Sequence, residues 1–512
     1  MVLFIIAAVI LLASIGVGVK FMYDFFKNPI PLPFKETLKR IGIVAGVFVL
    51  SFLTMMLSIY LWANYKPNGL ELTAAITGGL LVPIFGLTSL FTFIFHYYGT
   101  PKNRGIEENV DKWLWRILMI AFPLFIASLF WLTEGYASDK LIHYPLVNGI
   151  SFTHGFVNPE QMYNDGIRPN LAFYALCILS GAMYAYFLGD HKLYLQYGKH
   201  GIGETLFLLA LPSGIIGARL FYVIGNWKEF ANADNPFLAA INITDGGLTI
   251  LGGAIVGIAV GMIWWRFRRR QYNFWLCVDI MAPLILIGQA CGRWGNFFNC
   301  EVHGFEMSVK YWQFLPTFIK NNIAFSCEAG FAEPGNIFVP LFLIESATNM
   351  LGYFVLAHVF GNALRKHTAF GDIAIGYIVW YGLTRLFMEP LRYAAFNMGD
   401  HNYWSWIWAI CFVVLGSLAI GINHLIRTIK HPRKPKMVLH LVGTIAVSVT
   451  ALAFIIPGII LMANNTFSSV LVYNAFNWGI LLTVIGGSLL LGLLITIPPL
   501  FINKKEAVNA EV

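Results

Sequence analysis

Between positions 292 and 304 the chain reads Gly292-Arg293-Trp294-Gly295-Asn296-Phe297-Phe298-Asn299-Cys300-Glu301-Val302-His303-Gly304. Arg293 offers a planar five-donor fork suited to phosphate. Asn296 and Asn299 add amide donors and acceptors, and Glu301 is a carboxylate able to hold a guanidinium or shuttle a proton. The cluster closes an apolar run of membrane length, where each charge at bilayer depth costs roughly 2.5 to 3.5 kcal/mol on insertion scales, so chemistry is expected there. The bland alternative is an Arg/Glu pair that knits two helices together. Arg385 and Glu389 stand four apart on one expected helical face, and spacing alone makes them an i, i+4 ion pair. Arg385 nevertheless falls at the same expected depth as Arg293, and two converging guanidinium groups suit a phosphodiester.

Weaker signals surround these two. Arg219, in Gly217-Ala218-Arg219-Leu220-Phe221-Tyr222, is either an interfacial arginine that snorkels beside an aromatic belt or a functional group. Tyr174 and Tyr381 lie near outer helix ends and read singly as belt residues, and Glu345 reads singly as an interfacial carboxylate. Gly246, Gly247, Gly252 and Gly253 follow Asp245 into an apolar run, where small residues serve as a hinge or a helix-packing surface.

The elements that must position these groups are helices in a bilayer. Of 512 residues, 58% are hydrophobic and 12% charged, with a mean hydropathy of +0.68, against about 25% charged in soluble domains. Thirteen apolar runs of spanning length are expected, so the fold class is an all-α polytopic membrane protein. Their ranges are roughly 2–22, 41–63, 72–97, 115–133, 170–190, 203–225, 249–265, 275–292, 338–361, 371–390, 403–426, 437–462 and 473–501. With the N-terminus outside and the C-terminus in the cytoplasm, most of the 34 Lys and Arg fall in cytoplasmic segments, as the positive-inside bias requires. That leaves Arg219, Arg293 and Arg385 at membrane depth and in need of partners.

The charge of +8 then reads as anchoring to anionic lipid, with no nucleic-acid footprint. The first span lacks a basic segment before it and is expected to be retained rather than cleaved. The six Cys show no metal-ligand spacing, and no metal or other cofactor is expected. Four blocks follow: 1–133 with four spans, a polar outside segment 134–169, 170–426 with seven spans and every polar constellation, and 437–512 with two spans and a tail. Outside loops at 226–248 and 305–337 are expected to cover the site.

With these motifs in hand, the block 170–426 resembles the bacterial prolipoprotein diacylglyceryl transferase family. The resemblance rests on Gly-Arg-x-Gly-Asn-Phe-x-Asn-x-Glu-x-x-Gly at 292–304. Supporting matches are Tyr174, Gly217-Ala218-Arg219-x-x-Tyr222, Gly246-Gly247 before Gly252-Gly253, Pro340 to Ser346 around Glu345, and Tyr381-Gly382-x-x-Arg385-x-x-x-Glu389. It implies a seven-span core that moves diacylglyceryl from phosphatidylglycerol to the lipobox cysteine of a prolipoprotein signal peptide, giving a thioether and glycerol phosphate.

Carried over residue by residue, the resemblance implies catalytic parts for Arg293, Arg385, Glu301, Asn296 and Tyr174. It implies substrate contacts for Asn299, Glu389, Arg219, Tyr381, Gly304, Gly252 and Gly253. The chain departs from the family at Leu251, where many members carry His and others Tyr. Leucine cannot accept a proton, so a base at that position is vacant. His303 is a disfavoured replacement, because a His at that motif position also occurs in relatives that keep a polar residue at the other site, and arginine-assisted thiolate formation is the other route. The alternative reading is a catalytically silent paralogue that binds phospholipid or prolipoprotein. A transporter is disfavoured, because its charges would lie at the membrane midplane and no internal repeat is visible.

Overall fold

A computed structural model of the chain describes residues 2–27, 33–62, 69–99, 106–134, 150–151, 155–156, 171–232, 235–241, 247, 249–326, 329–392, 403–430, 437–465 and 475–501. A long helix lies over each of the thirteen apolar runs. In chain order they are α1 (Val2–Lys27), α2 (Phe34–Trp62), α3 (Gly69–Ile94), α4 (Glu108–Glu134), α5 (Leu171–Tyr197), α6 (Ile202–Gly225) and α7 (Ile250–Arg268). There follow α8 (Phe274–Asn299), α9 (Leu341–Tyr353), α10 (Asp372–Met388), α11 (Tyr403–Lys430), α12 (Met437–Ala463) and α13 (Ala475–Leu491). α9 continues as a wide π-type helix over Phe354–Ala363. The protein is a multi-pass, all-α membrane protein: among the described residues, ten of these segments are long and apolar enough to cross a bilayer. The other three are α5, α7 and α10. α10 has 17 residues, a rise of about 25 Å against a hydrocarbon core of about 30 Å.

Two boundaries differ from expectation in ways that matter. The expected eighth span stops at 292, where hydropathy falls, but α8 runs on to Asn299. Arg293, Asn296 and Asn299 therefore stand on the last two helical turns. The expected last span is continuous, but the helix breaks after Leu491 into Leu493–Thr496 and Pro498–Phe501. Gly492 and the Pro498-Pro499 pair, which lacks backbone donors, account for the break.

The chain divides into two compact units. The first comprises Met1–Leu176 and Val309–Gly330. Its helices α1 to α4 enclose a cluster of Phe25, Ile41, Phe95, Ile106 and Leu114, beside which buried His96 Nδ1 meets Asp111 at 2.6 Å. Most of the expected outside segment 134–169, including His143 and His154, lies outside the described residues.

The second unit comprises Cys177–Ser308 and Phe331–Val512. Close helix crossings there rest on small residues, as expected where lipid supplies no hydrophobic drive and backbones must approach. A Cβ at Gly252 would collide with Phe221, and one at Gly217 with Val256, so α6 and α7 touch backbone to backbone. Asp190 and Asp279 supply the caps that two glycine-started helices lack. Asp190 on α5 accepts from the Gly201 and Gly203 amides at the start of α6 (3.1 and 2.8 Å). Asp279 on α8 accepts from Gly371 and Ala374 at the start of α10 (2.9 and 3.1 Å). Asp372 is locked in turn by Asn423 and His424 of α11 (2.8 and 2.7 Å). These carboxylates fix the ends of α8, α10 and α11 opposite to the ends that carry Arg293 and Arg385.

Candidate functional site

α8, α9 and α10 run antiparallel in turn, so the end of α8, the start of α9 and the end of α10 meet. Arg293 Nε forms an ion pair with Glu345 Oε2. The other oxygen of Glu345 lies 3.3 Å from Arg392 Nη2. Arg392 Nε stands 3.9 Å from Glu389 Oε2, and that same oxygen lies 3.0 Å from Arg385 Nε. Five charges thus alternate in one chain, Arg293, Glu345, Arg392, Glu389 and Arg385. The Glu389 side chain is 1% exposed and those of Glu345 and Arg392 8%. Buried charges are tolerated when paired, and this chain backs both arginines with carboxylates. Asn296 extends the chain outward: its Oδ1 accepts from Arg293 at 3.4 Å and its Nδ2 donates to Glu301 at 2.9 Å.

A cavity of about 30 Å³ opens between the three helices, lined by Arg293, Glu345 and Arg385 and, one turn along each helix, by Gln289, Asn349 and Tyr381. The expected convergence of Arg293 and Arg385 is therefore a feature of the fold, and Tyr381 and Glu389 stand with them. Thr348 and Thr384 also line the space, but both hydroxyls are turned back onto carbonyls of their own helices.

The turn after α8 is tightly fixed. The Glu301 amide reaches back to the Asn296 carbonyl (3.1 Å), a Schellman-type closure, and Cys300 and Val302 both take positive φ, 54° and 58°. Two non-glycine residues in that region are uncommon and are held by their surroundings. Gly304 pairs with Arg392 in an isolated bridge. A Cβ there would meet the Leu391 carbonyl and Val339 Cβ, each at 2.6 Å. Gly304 thus ties the end of the motif to the backbone of Arg392. His303 is buried against Phe338, and that burial pushes its pKa down to about 4 despite a hydrogen bond to the Cys300 backbone. It is neutral at pH 7.

Other expected residues sit elsewhere. Arg219 donates to the carbonyls of Ala239, Ala240 and Gly247 at 2.7 to 3.0 Å and lies over the rings of Tyr222 and Phe230. Its guanidinium holds the outside loop. Gly252 and Gly253 face the α6 backbone at the helix crossing, not the cavity. Tyr174 is half-buried in the first turn of α5. Asp245 and Gly246, and the side chains of Asn299 and Leu251, lie outside the described residues. Sequence reasoning did not single out Arg392, and it read Glu345 only as an interfacial carboxylate. The signal was present in both cases: two unpaired arginines at depth demand as many buried carboxylates, and Glu389 with Arg392 at i, i+3 extends the Arg385 pair.

Residues 167–422 match the family model described as prolipoprotein diacylglyceryl transferase. Proteins named phosphatidylglycerol–prolipoprotein diacylglyceryl transferase share this stretch. That of Shouchella clausii is 35% identical over 244 residues, 47% of this chain and 82% of the relative. That of Clostridium novyi is 33% identical over 264 residues, 52% of this chain and 95% of the relative. That of Enterococcus faecalis is 34% identical over 253 residues, 48% of this chain and 84% of the relative.

Proposed function

This chain belongs to the prolipoprotein diacylglyceryl transferase family, and we propose that it transfers diacylglyceryl from phosphatidylglycerol to the lipobox cysteine thiol of a prolipoprotein. The observation that carries this reading is the shared cavity of Arg293 and Arg385, each backed by its own buried carboxylate. Paired forks of this kind suit the two free oxygens of a phosphodiester. The cysteine sulfur attacks the glyceryl carbon bonded to phosphate oxygen, a C–S bond forms, and the C–O bond breaks with its electron pair leaving on glycerol phosphate.

A free thiol with pKa about 8.5 is only slightly ionised at neutral pH, and guanidinium charge favours both its thiolate and the phosphate that departs. The thiol proton leaves through Glu301, which Asn296 holds, or ends on the released phosphate. In this reading Asn299, Gly304 and Tyr381 serve the head group, and Tyr174 keeps the catalytic part that the family resemblance implies. The site faces the outer leaflet, with the N-terminus outside and the C-terminus cytoplasmic, and 170–426 is the transferase core between a four-span and a two-span addition. Leu251 supplies no base, so thiolate formation rests on the arginines.

The test is the mass of a lipobox peptide after incubation with phosphatidylglycerol and purified protein. A diacylglyceryl adduct from wild type, absent with Arg293→Ala of equal melting temperature, is the expected result. No adduct from intact, lipid-binding wild type would instead favour the silent paralogue that Leu251 motivates.

A further inference from the structure

One turn along the helices from the charged layer lies a second layer with no assigned part. Gln289 stands four residues before Arg293 on α8, and Asn349 four residues after Glu345 on α9. Because the two helices are antiparallel, both steps lead the same way, about 6 Å toward the middle of the bundle. Asn349 is only 8% exposed, lines the cavity with both arginines, and its amide has no hydrogen-bond partner among the described residues. Gln289 Nε2 is held by the Tyr377 hydroxyl at 3.1 Å, which leaves Gln289 Oε1 buried without a partner. Gln289 Oε1 is an acceptor and calls for a donor, whereas Asn349 offers the cavity an amide donor that no group among the described residues takes up, a place for an accepting ligand.

We infer that Asn349 is the site that recognises an ester carbonyl of the diacylglyceryl group. This rests on the transferase reading, in which the phosphate sits between Arg293 and Arg385. The two ester groups of the lipid then lie on the membrane side of that phosphate, and an ester carbonyl accepts but cannot donate. Asn349 Nδ2 is a donor at that depth, beside the Tyr381 hydroxyl, while the hydroxyls of Thr348 and Thr384 are spent on their own helices. Tyr377 fixes the Gln289 amide as the wall of this pocket. Asn349 is thus a specificity residue for ester-linked over ether-linked lipid.

The test compares diester phosphatidylglycerol with its diether analogue of equal chain length, using the lipobox peptide and full-length protein. Wild type is expected to favour the diester in kcat/KM by about tenfold, the scale of one buried hydrogen bond. Asn349→Leu should lose about that factor on the diester and nothing on the diether, so the preference vanishes. Equal loss on both lipids, or a wild type indifferent to the linkage, overturns the inference. If Asn349→Leu fails to fold, Asn349→Ala, smaller and without any side-chain donor, is read by the same ratio. Absence of any adduct with either lipid from wild type would overturn the transferase reading itself, and with it this inference.

Discussion

Arg392 stands between Glu345 and Glu389, and each carboxylate in turn holds one of the cavity arginines. Removing Arg392 leaves Glu345 with Arg293 alone and Glu389 with Arg385 alone, each short of one buried donor. Arg392→Ala is therefore expected to cost about 1 to 3 kcal/mol, read as a lower melting temperature in detergent, with transfer reduced as Arg293 and Arg385 shift. A variant that melts like wild type would show that the central guanidinium is dispensable. His303 gives a second expectation at this scale. Its pKa in the folded chain is about 4, below the ordinary value near 6.5, so the unfolded chain takes up a proton that the folded chain refuses. Stability should fall as pH drops from 6.5 toward 4 and level off below, by about 2 kcal/mol at pH 5. His303→Gln should flatten that part of the pH–melting curve; an unchanged slope would place the titration elsewhere. The two arginines and Glu389 were legible in the sequence because unpaired charge in an apolar chain is conspicuous. Arg392 was not, because it lies just past an apolar run and nothing local shows that Gly304 and Phe305 fold over it.

At the scale of elements, hydropathy marks every long helix but not where a helix ends on polar side chains. α8 passes through Arg293 and Asn296 because both side chains are satisfied by Glu345 and Glu301, so the backbone need not unwind to solvate them. The helix starts at Gly201 and Gly371 were equally hidden. Both residues have positive φ and no side chain to cap with, and the capping aspartates come from other helices. Asp279→Ala strips the Gly371 and Ala374 amides of their acceptor, at an expected cost of about 1 to 3 kcal/mol. Because Asp279 lies at the far end of α8 from Arg293, KM for phosphatidylglycerol should hold while the melting temperature drops. A changed KM with unchanged melting would contradict the separation of the two ends. Gly252 and Gly253, implied as substrate contacts by family resemblance, belong by geometry to the α6–α7 crossing, where composition alone also put them.

On the scale of the whole molecule, α12 and α13 belong to the same compact unit as the seven helices α5 to α11. The family match ends at residue 422, before α12, and 95% of the Clostridium novyi protein is matched over 264 residues of this chain. Leu386, adjacent to Arg385, is fully buried in a cluster with Trp406, Ala409 and Val413 of α11 and Leu481 and Val484 of α13. α10 therefore turns one face to the cavity and the opposite face to the added pair. Their sequence is almost uniformly apolar, so nothing in it reveals which neighbour they choose; small residues at Gly458, Gly479 and Gly486 set only the α12–α13 contact. In water, exposing the Leu386 face would be ruinous. In a bilayer, lipid replaces α13, and only packing contacts are lost, without a hydrophobic penalty. A chain ended at residue 436 is therefore expected to insert, to melt at a lower temperature, and to keep transfer with kcat reduced by less than about tenfold, since α10 remains anchored by Asp279, α11 and Glu389. The lipobox adduct assay measures it. Complete loss of transfer from a well-inserted truncated protein would mean that α12 and α13 are part of the working site.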